Sequence, residues 1–115
     1  MPPPGTVLHV DDEIWRLKGE STSSGEHFGL VVDHISNVAV TVALCASGHP
    51  GDEIGYCVKL ECDPFTARPT FVNLKCRRPL DGSKIVGKPK GEIPREDLTR
   101  VHYALRRLIE AGLLR

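Results

Sequence analysis

The sequence predicts a small, strongly bent antiparallel barrel followed by one helix. The chain has 115 residues, which is enough for one domain and leaves little room for two. Short segments with the twofold periodicity of strands occupy most of its length, and a segment of helical periodicity comes last. Strands and helices do not alternate, which argues against a parallel α/β sheet. We therefore expect a mainly β domain of roughly five to seven short strands with a C-terminal amphipathic helix.

The first part of the chain predicts an arm, a strand and a loop. Residues 1–5 hold three prolines and little that could be buried, so we expect a disordered arm ahead of a single domain over residues 6–115. Apolar residues then surround an acidic triplet at 11–13, a pattern that fits a turn or the start of a strand with Trp15 in the core. Residues 18–26 contain no apolar side chain and two glycines, which predicts an exposed, mobile and functional loop.

The middle of the chain predicts the strands of the sheet. The apolar run 28–32 has the length of a strand, and residues 38–44 are β-branched and apolar on both faces, as in a central strand. Residues 56–62 and 70–76 alternate between apolar and polar side chains, which predicts two further strands. The basic, turn-rich stretch that follows contains a short apolar pair at 85–86, which predicts one more short strand.

The end of the chain changes to helical periodicity. Pro94 suits the first turn of a helix, acidic residues follow at its positive end, and Gly112 suits a C-terminal cap. The apolar stripe expected to face the core consists of Leu98, Val101, Leu105, Leu108 and Ile109. The segment 105–114 also resembles the end of a winged-helix recognition helix. The strands and loops before it lack the two helices that such DNA-binding domains place there.

The net charge of zero conceals a division between the two halves of the chain. Residues 1–67 carry three basic residues against ten acids, a balance of −7, and residues 68–115 carry twelve against five, a balance of +7. A charge split of this kind is typical of chains that bind a polyanion or assemble with themselves, although folding can also mix the two halves. We expect the folded surface to be bipolar.

Other classes of protein and site are disfavoured by missing patterns. The uncharged run 35–51 is too short and polar to cross a membrane, and the N-terminus has no signal-peptide pattern, so we expect a cytoplasmic protein with reduced thiols. The four cysteines form no C-x-x-C pair and the five histidines show no ligand spacing, so strand-core thiols and no metal site are expected. We also expect no cofactor, since phosphate-binding and dinucleotide-binding glycine motifs are absent.

Several short segments occur in the order found in one family. The segments are Glu13-Ile14-Trp15, residues 25–32, residues 42–48, residues 71–81 and residues 91–94 with the helix that follows. In this order, over residues 12–111, the chain resembles the MazF/PemK (Kid) family of toxin endoribonucleases. That resemblance implies an SH3-like barrel of the superfamily that also contains CcdB. It further implies a homodimer, and a growth inhibitor of the mRNA-interferase type that is paired with an acidic antitoxin.

The resemblance also implies a reaction and a set of site residues. The family cleaves single-stranded RNA without a metal by attack of a ribose 2′-hydroxyl on the adjacent phosphate. His27 stands where the family has an arginine, and Ser47 lies beside Ala46, which replaces the family's threonine. Our hypothesis is that His27 and Ser47 handle protons while Arg78, which aligns with a later family arginine, holds the phosphate.

The RNA-binding residues implied by the same alignment are Asn73, Lys75 and Arg77. Each assignment has an alternative: His27 as a solvated polar residue, Ser47 as the start of a turn, and the basic residues as an ordinary solvated face. Because the family's arginine and threonine are replaced, the alternative function is a non-catalytic module on the same barrel. Such a module would bind an antitoxin, gyrase, another protein or a nucleic acid.

Overall fold

A computed structural model of the chain describes residues 2–10, 27–47, 56–61 and 70–114, with positions 27 and 43–47 described by their backbone. Its elements confirm the predicted fold class, a mainly β domain with a C-terminal helix. They are β1 (Thr6–Val10), β2 (His27–His34), β3 (Ala39–Ser47), β4 (Cys57–Lys59), β5 (Thr70–Asp81), a 3-10 turn (Gly82–Lys84), β6 (Gly91–Glu92) and α1 (Arg95–Glu110). The predicted loop 18–26 and the predicted strand around Trp15 lie outside the described residues.

The described strands form one six-stranded sheet in the order β4-β5-β3-β2-β1-β6, and each pair of neighbours is antiparallel. The central position predicted for the strand over residues 38–44 is confirmed, because β3 pairs with β2 on one side and β5 on the other. Both of its edges are therefore covered, in keeping with its β-branched composition.

Strand β5 is longer than the segment 70–76 predicted for it, and it contains a bulge. Asn73 pairs with Leu44 and Arg77 pairs with Ala43, so residues 74–76 have no opposing residue on β3. The Leu74 N–H instead donates to the Tyr56 carbonyl at 2.8 Å. Bulges of this kind bend a strand and increase its twist. Sequence periodicity ends at the bulge, which is why the pattern predicted only the first half of β5.

The sheet curls, so that the chain after β5 reaches the edge of β1 that does not pair with β2. Ile85 pairs with Val10 in an isolated bridge, the Val86 N–H donates to the His9 carbonyl at 2.8 Å, and β6 pairs with Thr6 and Val7. Only a 3-10 turn separates β5 from this contact. The short strand predicted at 85–86 is therefore present as a single bridge that helps to close the barrel.

Two clusters of buried side chains lie on opposite faces of the sheet. The larger one packs β1, β2, β4 and β5 against α1, and its members include Leu30, Val72, Leu74, Val101 and Leu108. The smaller one uses alternate positions of β1, β2 and β5 together with two residues of β3, and it consists of Leu8, Val10, Val31, Val40, Val42 and Leu80. Neighbouring residues such as Leu30 and Val31 thus enter different clusters, as the alternation of side chains along a strand requires.

The helix follows its predicted boundaries and most of its predicted stripe. Pro94 precedes its first turn, and Gly112 adopts φ +75° after the last one, where a left-handed conformation is needed for the Leu113 N–H to reach the Leu108 carbonyl. Val101 and Leu108 are buried, but the prediction for Ile109 is wrong, since it is 44% exposed. Ile109 lies at the edge of the stripe, where it lines an open groove beside Asp33 instead of the core.

Strand β4 is shorter than the segment 56–62 predicted for it. Regular pairing with β5 covers only Cys57–Lys59, although the Leu60 N–H still donates to the Thr70 carbonyl at 3.0 Å. Cys57 and Cys76 are half-buried, while Cys62 lies outside the described residues. Pairing with β4 stops at Asn73, so among the described residues Pro79 pairs with β3 alone, where a missing N–H is tolerated.

The first described residues make backbone contacts with the sheet. The Gly5 N–H donates to the Val31 carbonyl at 2.8 Å, and the Pro2 carbonyl lies 2.8 Å from Nε2 of His34. The division into an arm over residues 1–5 and a domain over residues 6–115 stays a prediction. In the described part of the chain, no helix has both the length and the apolar character that a membrane crossing requires.

Candidate nucleic-acid interface

The two residues predicted to handle protons lie at the same end of the sheet. His27 is the first residue of β2 and Ser47 is the last residue of β3. Phe28 pairs with Cys45, so continuing the register by one position sets His27 beside Ala46, next to Ser47. From the usual spacing of strands and residues, the Cα atoms of His27 and Ser47 are about 6 Å apart. Proton-transfer groups on adjacent strand ends can act on one bound phosphodiester.

The third predicted catalytic residue lies elsewhere along the sheet. Arg78 pairs with Val42, which precedes Ser47 by five residues on β3, roughly 16 Å of extended strand. Arg77 pairs with Ala43 and is also distant from this end. The structure therefore brings His27 and Ser47 together and sets the two arginines apart from them.

Both arginines are held by backbone carbonyl groups of their own strand. Nε of Arg77 donates to the Leu74 carbonyl at 3.0 Å, and Nη1 of Arg78 donates to the Arg77 carbonyl at 2.8 Å. Both side chains are half-buried, and each has further interactions. The accepting carbonyl groups belong to Leu74 in the bulge and to Arg77 just after it, so both bonds support the shape of β5.

The other two predicted RNA-binding residues also lie at the bulge. Asn73 Oδ1 accepts a hydrogen bond from the Lys75 N–H at 3.0 Å, which fixes the start of the irregular segment. The exposed Lys75 ammonium lies 5.5 Å from the centre of the Tyr56 ring, a geometry that attracts a cation to an aromatic face. A lysine beside an aromatic ring can bind a phosphate of the RNA backbone while a nucleobase stacks on the ring.

The sequence reasoning missed an aromatic residue at the His27 end. Phe71 pairs with Ala46 on one side and with Lys59 on the other, and it is half-buried. An aromatic ring next to a cation is a platform on which a nucleobase can stack. The signal was present in the sequence, since Phe71 lies on the strand face opposite to the buried Val72.

A second feature missed by the sequence reasoning is the segment between β5 and α1. Its bridge between Ile85 and Val10 sets Lys84 one residue beyond the end of β1, and Val10 pairs with His27 on its other side. The stretch was recognisable as basic, but only barrel closure brings it to this end of the sheet.

One carboxylate near this segment has a shifted pKa. The Ser83 hydroxyl and the Ser83 N–H both donate to Asp81, the latter at 2.8 Å, and together they lower the pKa of Asp81, with the hydroxyl as the larger cause. Lys84 adds a smaller electrostatic contribution in the same direction. Across residues 2–10, 27–47, 56–61 and 70–114, no three histidine, cysteine, aspartate or glutamate residues are grouped as metal ligands.

The fold is similar to that of solved endoribonucleases from mycobacterial species. One of them, solved in complex with its cognate antitoxin, has a TM-score of 0.69 and 19% sequence identity, covering 98% of this chain and 97% of that one. Another has a TM-score of 0.65 and 19% identity, with 97% and 92% coverage. Neither a protein-family model nor a curated protein matches the sequence. The similarity extends over the whole chain and concerns the fold.

Proposed function

We propose that the chain is an endoribonuclease toxin of the MazF/PemK type, which cleaves single-stranded RNA without a metal and is controlled by an antitoxin. The observation that carries this proposal is the meeting of His27 and Ser47 at one end of the sheet. Support also comes from the full-length similarity to an endoribonuclease solved with its cognate antitoxin.

The proposed reaction needs one proton acceptor and one proton donor. The acceptor removes the proton of a ribose 2′-hydroxyl, the 2′-oxygen bonds to phosphorus, and the bond between phosphorus and the 5′-oxygen breaks. The donor protonates that 5′-oxygen, so the products are a 2′,3′-cyclic phosphate and a 5′-hydroxyl. His27 suits a proton-transfer role because imidazole titrates near neutrality, and the Ser47 hydroxyl can bond to the phosphate or relay a proton.

The binding residues complete the proposal. Asn73, Lys75, Arg77 and Arg78 stay predictions for RNA binding and phosphate binding, with Lys75 supported by its exposure beside Tyr56. Phe71 joins them as a proposed stacking residue, since it lies next to Ala46 at the His27 end. The homodimer implied by the family resemblance also stays a prediction.

The first test measures cleavage of a short single-stranded RNA by the full chain in the presence of a chelator. We expect a 2′,3′-cyclic phosphate product, and we expect His27→Ala to lower the cleavage rate by roughly 10²-fold to 10⁴-fold, the usual contribution of a general acid or base. The matched control is His34→Ala, which changes the histidine at the other end of β2 and should alter the rate only a few-fold.

Two results would overturn the enzymatic proposal. One is full cleavage by the His27→Ala variant, and the other is no cleavage by the wild type at any pH between about 5 and 8, where histidine titrates. An RNA with a 2′-deoxy sugar at the scissile position should remain intact, because the attacking hydroxyl is missing.

A second candidate, a non-catalytic protein-binding module, is favoured by the outer side of α1. Tyr103 is 60% exposed, and the Arg107 guanidinium lies 5.8 Å from the centre of its ring. Together with Leu113 these side chains line a groove of about 330 Å³. Arginine beside exposed aromatic and aliphatic groups suits an acidic protein partner. A neighbouring reading frame that encodes a small acidic protein would support the toxin–antitoxin pair, and its absence would favour a module that acts alone.

A further inference from the structure

Three lysines follow the outer edge of β1, and we call them the lysine strip: Lys84, Lys88 and Lys90. The strip is positioned by the chain between β5 and α1, which runs antiparallel to β1. Lys84 precedes the residue that pairs with Val10, and the Lys90 N–H donates to the Val7 carbonyl at 2.8 Å. The strip therefore extends along most of the length of β1.

The middle lysine lies on a short excursion of the chain. The Val86 N–H reaches the His9 carbonyl and the Lys90 N–H reaches the Val7 carbonyl, so the three residues 87–89 lie opposite Leu8 alone. Gly87 begins the excursion with φ +70°, a conformation that favours glycine. The excursion displaces Lys88 away from the sheet into solvent, and all three lysines are exposed.

The strip lies in a segment of one sign of charge, with the acidic residues Asp81 and Glu92 adjoining its two ends. The sequence from Gly82 to Gly91 contains three lysines and no acidic residue. Asp81, just before it, holds Ser83 through its carboxylate and lies close enough to Lys84 for the lysine to lower its pKa. Lys88 and Lys90 are further along the edge, away from that carboxylate.

We propose that the lysine strip binds successive phosphates of a single-stranded RNA and leads the strand to the His27–Ser47 end. This inference rests on the proposed function. Lys84 lies at the end of β1 whose last residue, Val10, pairs with His27. With strands about 4.8 Å apart, Ile85 and His27 are separated by roughly 10 Å, one on each side of Val10. A phosphate bound by Lys84 would therefore lie near the residues proposed to act on the next one.

The chemistry of the strip favours a nucleic-acid backbone over an acidic protein. The ammonium group of a lysine is a mobile point charge that binds a phosphate without a fixed geometry. This property suits the binding of a flexible RNA strand. A stable protein interface needs an apolar centre made of several side chains. Among the large hydrophobic residues that are exposed in the described chain, this segment contributes Val86 alone, which is too little for such a centre. The outer side of α1, which exposes Tyr103, Ile109 and Leu113, is the more suitable surface for a protein.

The test separates binding from cleavage by using an RNA that cannot be cleaved. The probe is a fluorescent single-stranded oligonucleotide with 2′-O-methyl sugars, and its affinity for the full chain is measured by anisotropy at several salt concentrations. We expect the triple variant Lys84→Gln, Lys88→Gln, Lys90→Gln to bind about tenfold more weakly. The slope of log affinity against log salt should also fall by about 2, at roughly 0.7 per phosphate contact.

Two control variants accompany the triple variant. Arg95→Gln, Arg106→Gln, Arg107→Gln removes the same charge from exposed positions on α1, and it should retain affinity within about threefold. Replacing the three strip lysines by arginine keeps the charge and should also retain affinity. All these positions are exposed, so circular dichroism melting should show that each variant folds.

The outcomes are distinguishable from failure of the proposed function. If the wild type binds the oligonucleotide and the lysine variant binds equally well, the strip proposal is overturned while the endoribonuclease proposal stands. If both charge variants lose affinity equally, the effect is one of net charge and the strip proposal also falls. If the lysine variant loses affinity for a poly-glutamate peptide but keeps affinity for the oligonucleotide, the strip binds acidic protein instead. Lysine-dependent binding without any RNA cleavage would support the strip and contradict the enzyme.

Discussion

The bulge of β5 and the lysine strip are both basic in sequence, yet the fold uses their charges differently. Arg77 and Arg78 on β5 are half-buried, and both donate to backbone carbonyl groups of that strand. Lys88 and Lys90 lie at the edge of the barrel and are exposed. The difference teaches that a cluster of cations in a sequence indicates a binding surface only where the fold leaves the charges facing solvent.

The physical reason lies in the backbone at each place. The bulge interrupts regular pairing between β3 and β5 at residues 74–76, and the guanidinium groups of Arg77 and Arg78 donate to the carbonyl groups of Leu74 in the bulge and of Arg77 just after it. Along the lysine strip, N–H groups of Val86 and Lys90 already donate to β1. The backbone there is held to β1 by its own hydrogen bonds.

The largest effect on stability should come from removing the two arginines that follow the bulge. We expect Arg77→Ala with Arg78→Ala to lower the free energy of unfolding by about 2 kcal/mol, because two charge-assisted bonds to carbonyl groups are lost. Urea denaturation monitored by circular dichroism measures this. The lysine triple variant is the matched comparison and should change the stability by less than about 0.5 kcal/mol.

The same pair of variants tests whether the two regions differ in binding. Once corrected for the folded fraction, the arginine variant should lose less affinity for the uncleavable oligonucleotide than the lysine triple variant, because both guanidinium groups already donate to backbone carbonyl groups. A stable arginine variant with much weaker oligonucleotide binding would reverse the comparison and return the RNA surface to β5.

A smaller effect is expected from a cation on α1 that also bonds to the backbone. Nη1 of Arg100 donates to the Lys59 carbonyl at 2.9 Å and lies 3.4 Å from Oδ1 of Asp97, which is 2% exposed. We expect Arg100→Ala to lower the free energy of unfolding by about 1 kcal/mol, because it loosens the contact between α1 and β4.

Arg95 provides the control for that measurement, since it is exposed in the first turn of the same helix. Arg95→Ala should change the midpoint of urea denaturation very little. Equal losses for the two variants would mean that the helix responds to net charge and that the bond to Lys59 contributes nothing of its own.

The smallest effect is a dependence on pH at the start of the lysine segment. Because the folded-state pKa of Asp81 is lowered, its carboxylate contributes stability that is present above the ordinary aspartate pKa of 3.8 and is lost as the pH falls through the folded pKa. An NMR titration should place the Asp81 pKa below 3.8 in the wild type and closer to it in Ser83→Ala, since the hydroxyl is the main cause. An unchanged pKa in Ser83→Ala would contradict this cause.

Some elements were predictable because their signals are local. The helix boundaries follow from Pro94 and Gly112, and the central position of β3 follows from its apolar composition on both faces. His27 and Ser47 were predicted as partners through a family resemblance, and the register of β2 with β3 sets them beside each other. Their catalytic roles stay predictions.

Other features were not predictable because they depend on pairings between distant segments. At the bulge over residues 74–76, β5 changes its register with β3, and this sets Arg78 opposite Val42, five residues from Ser47. The exposure of Ile109 depends on how little of α1 the sheet covers, whereas helical periodicity places it on the apolar stripe.

The sequence by itself determined the order and type of the elements, because hydrophobic periodicity, prolines and glycines act over a few residues. It also determined that positive charge is concentrated in the second half of the chain. Only the tertiary structure decided which cations support the backbone and which face solvent. Closure of the barrel through Ile85 and Val10 sets the lysine strip along β1, while the bulge holds the arginines of β5. Such closure depends on the curvature and register of the whole sheet, which no local pattern records.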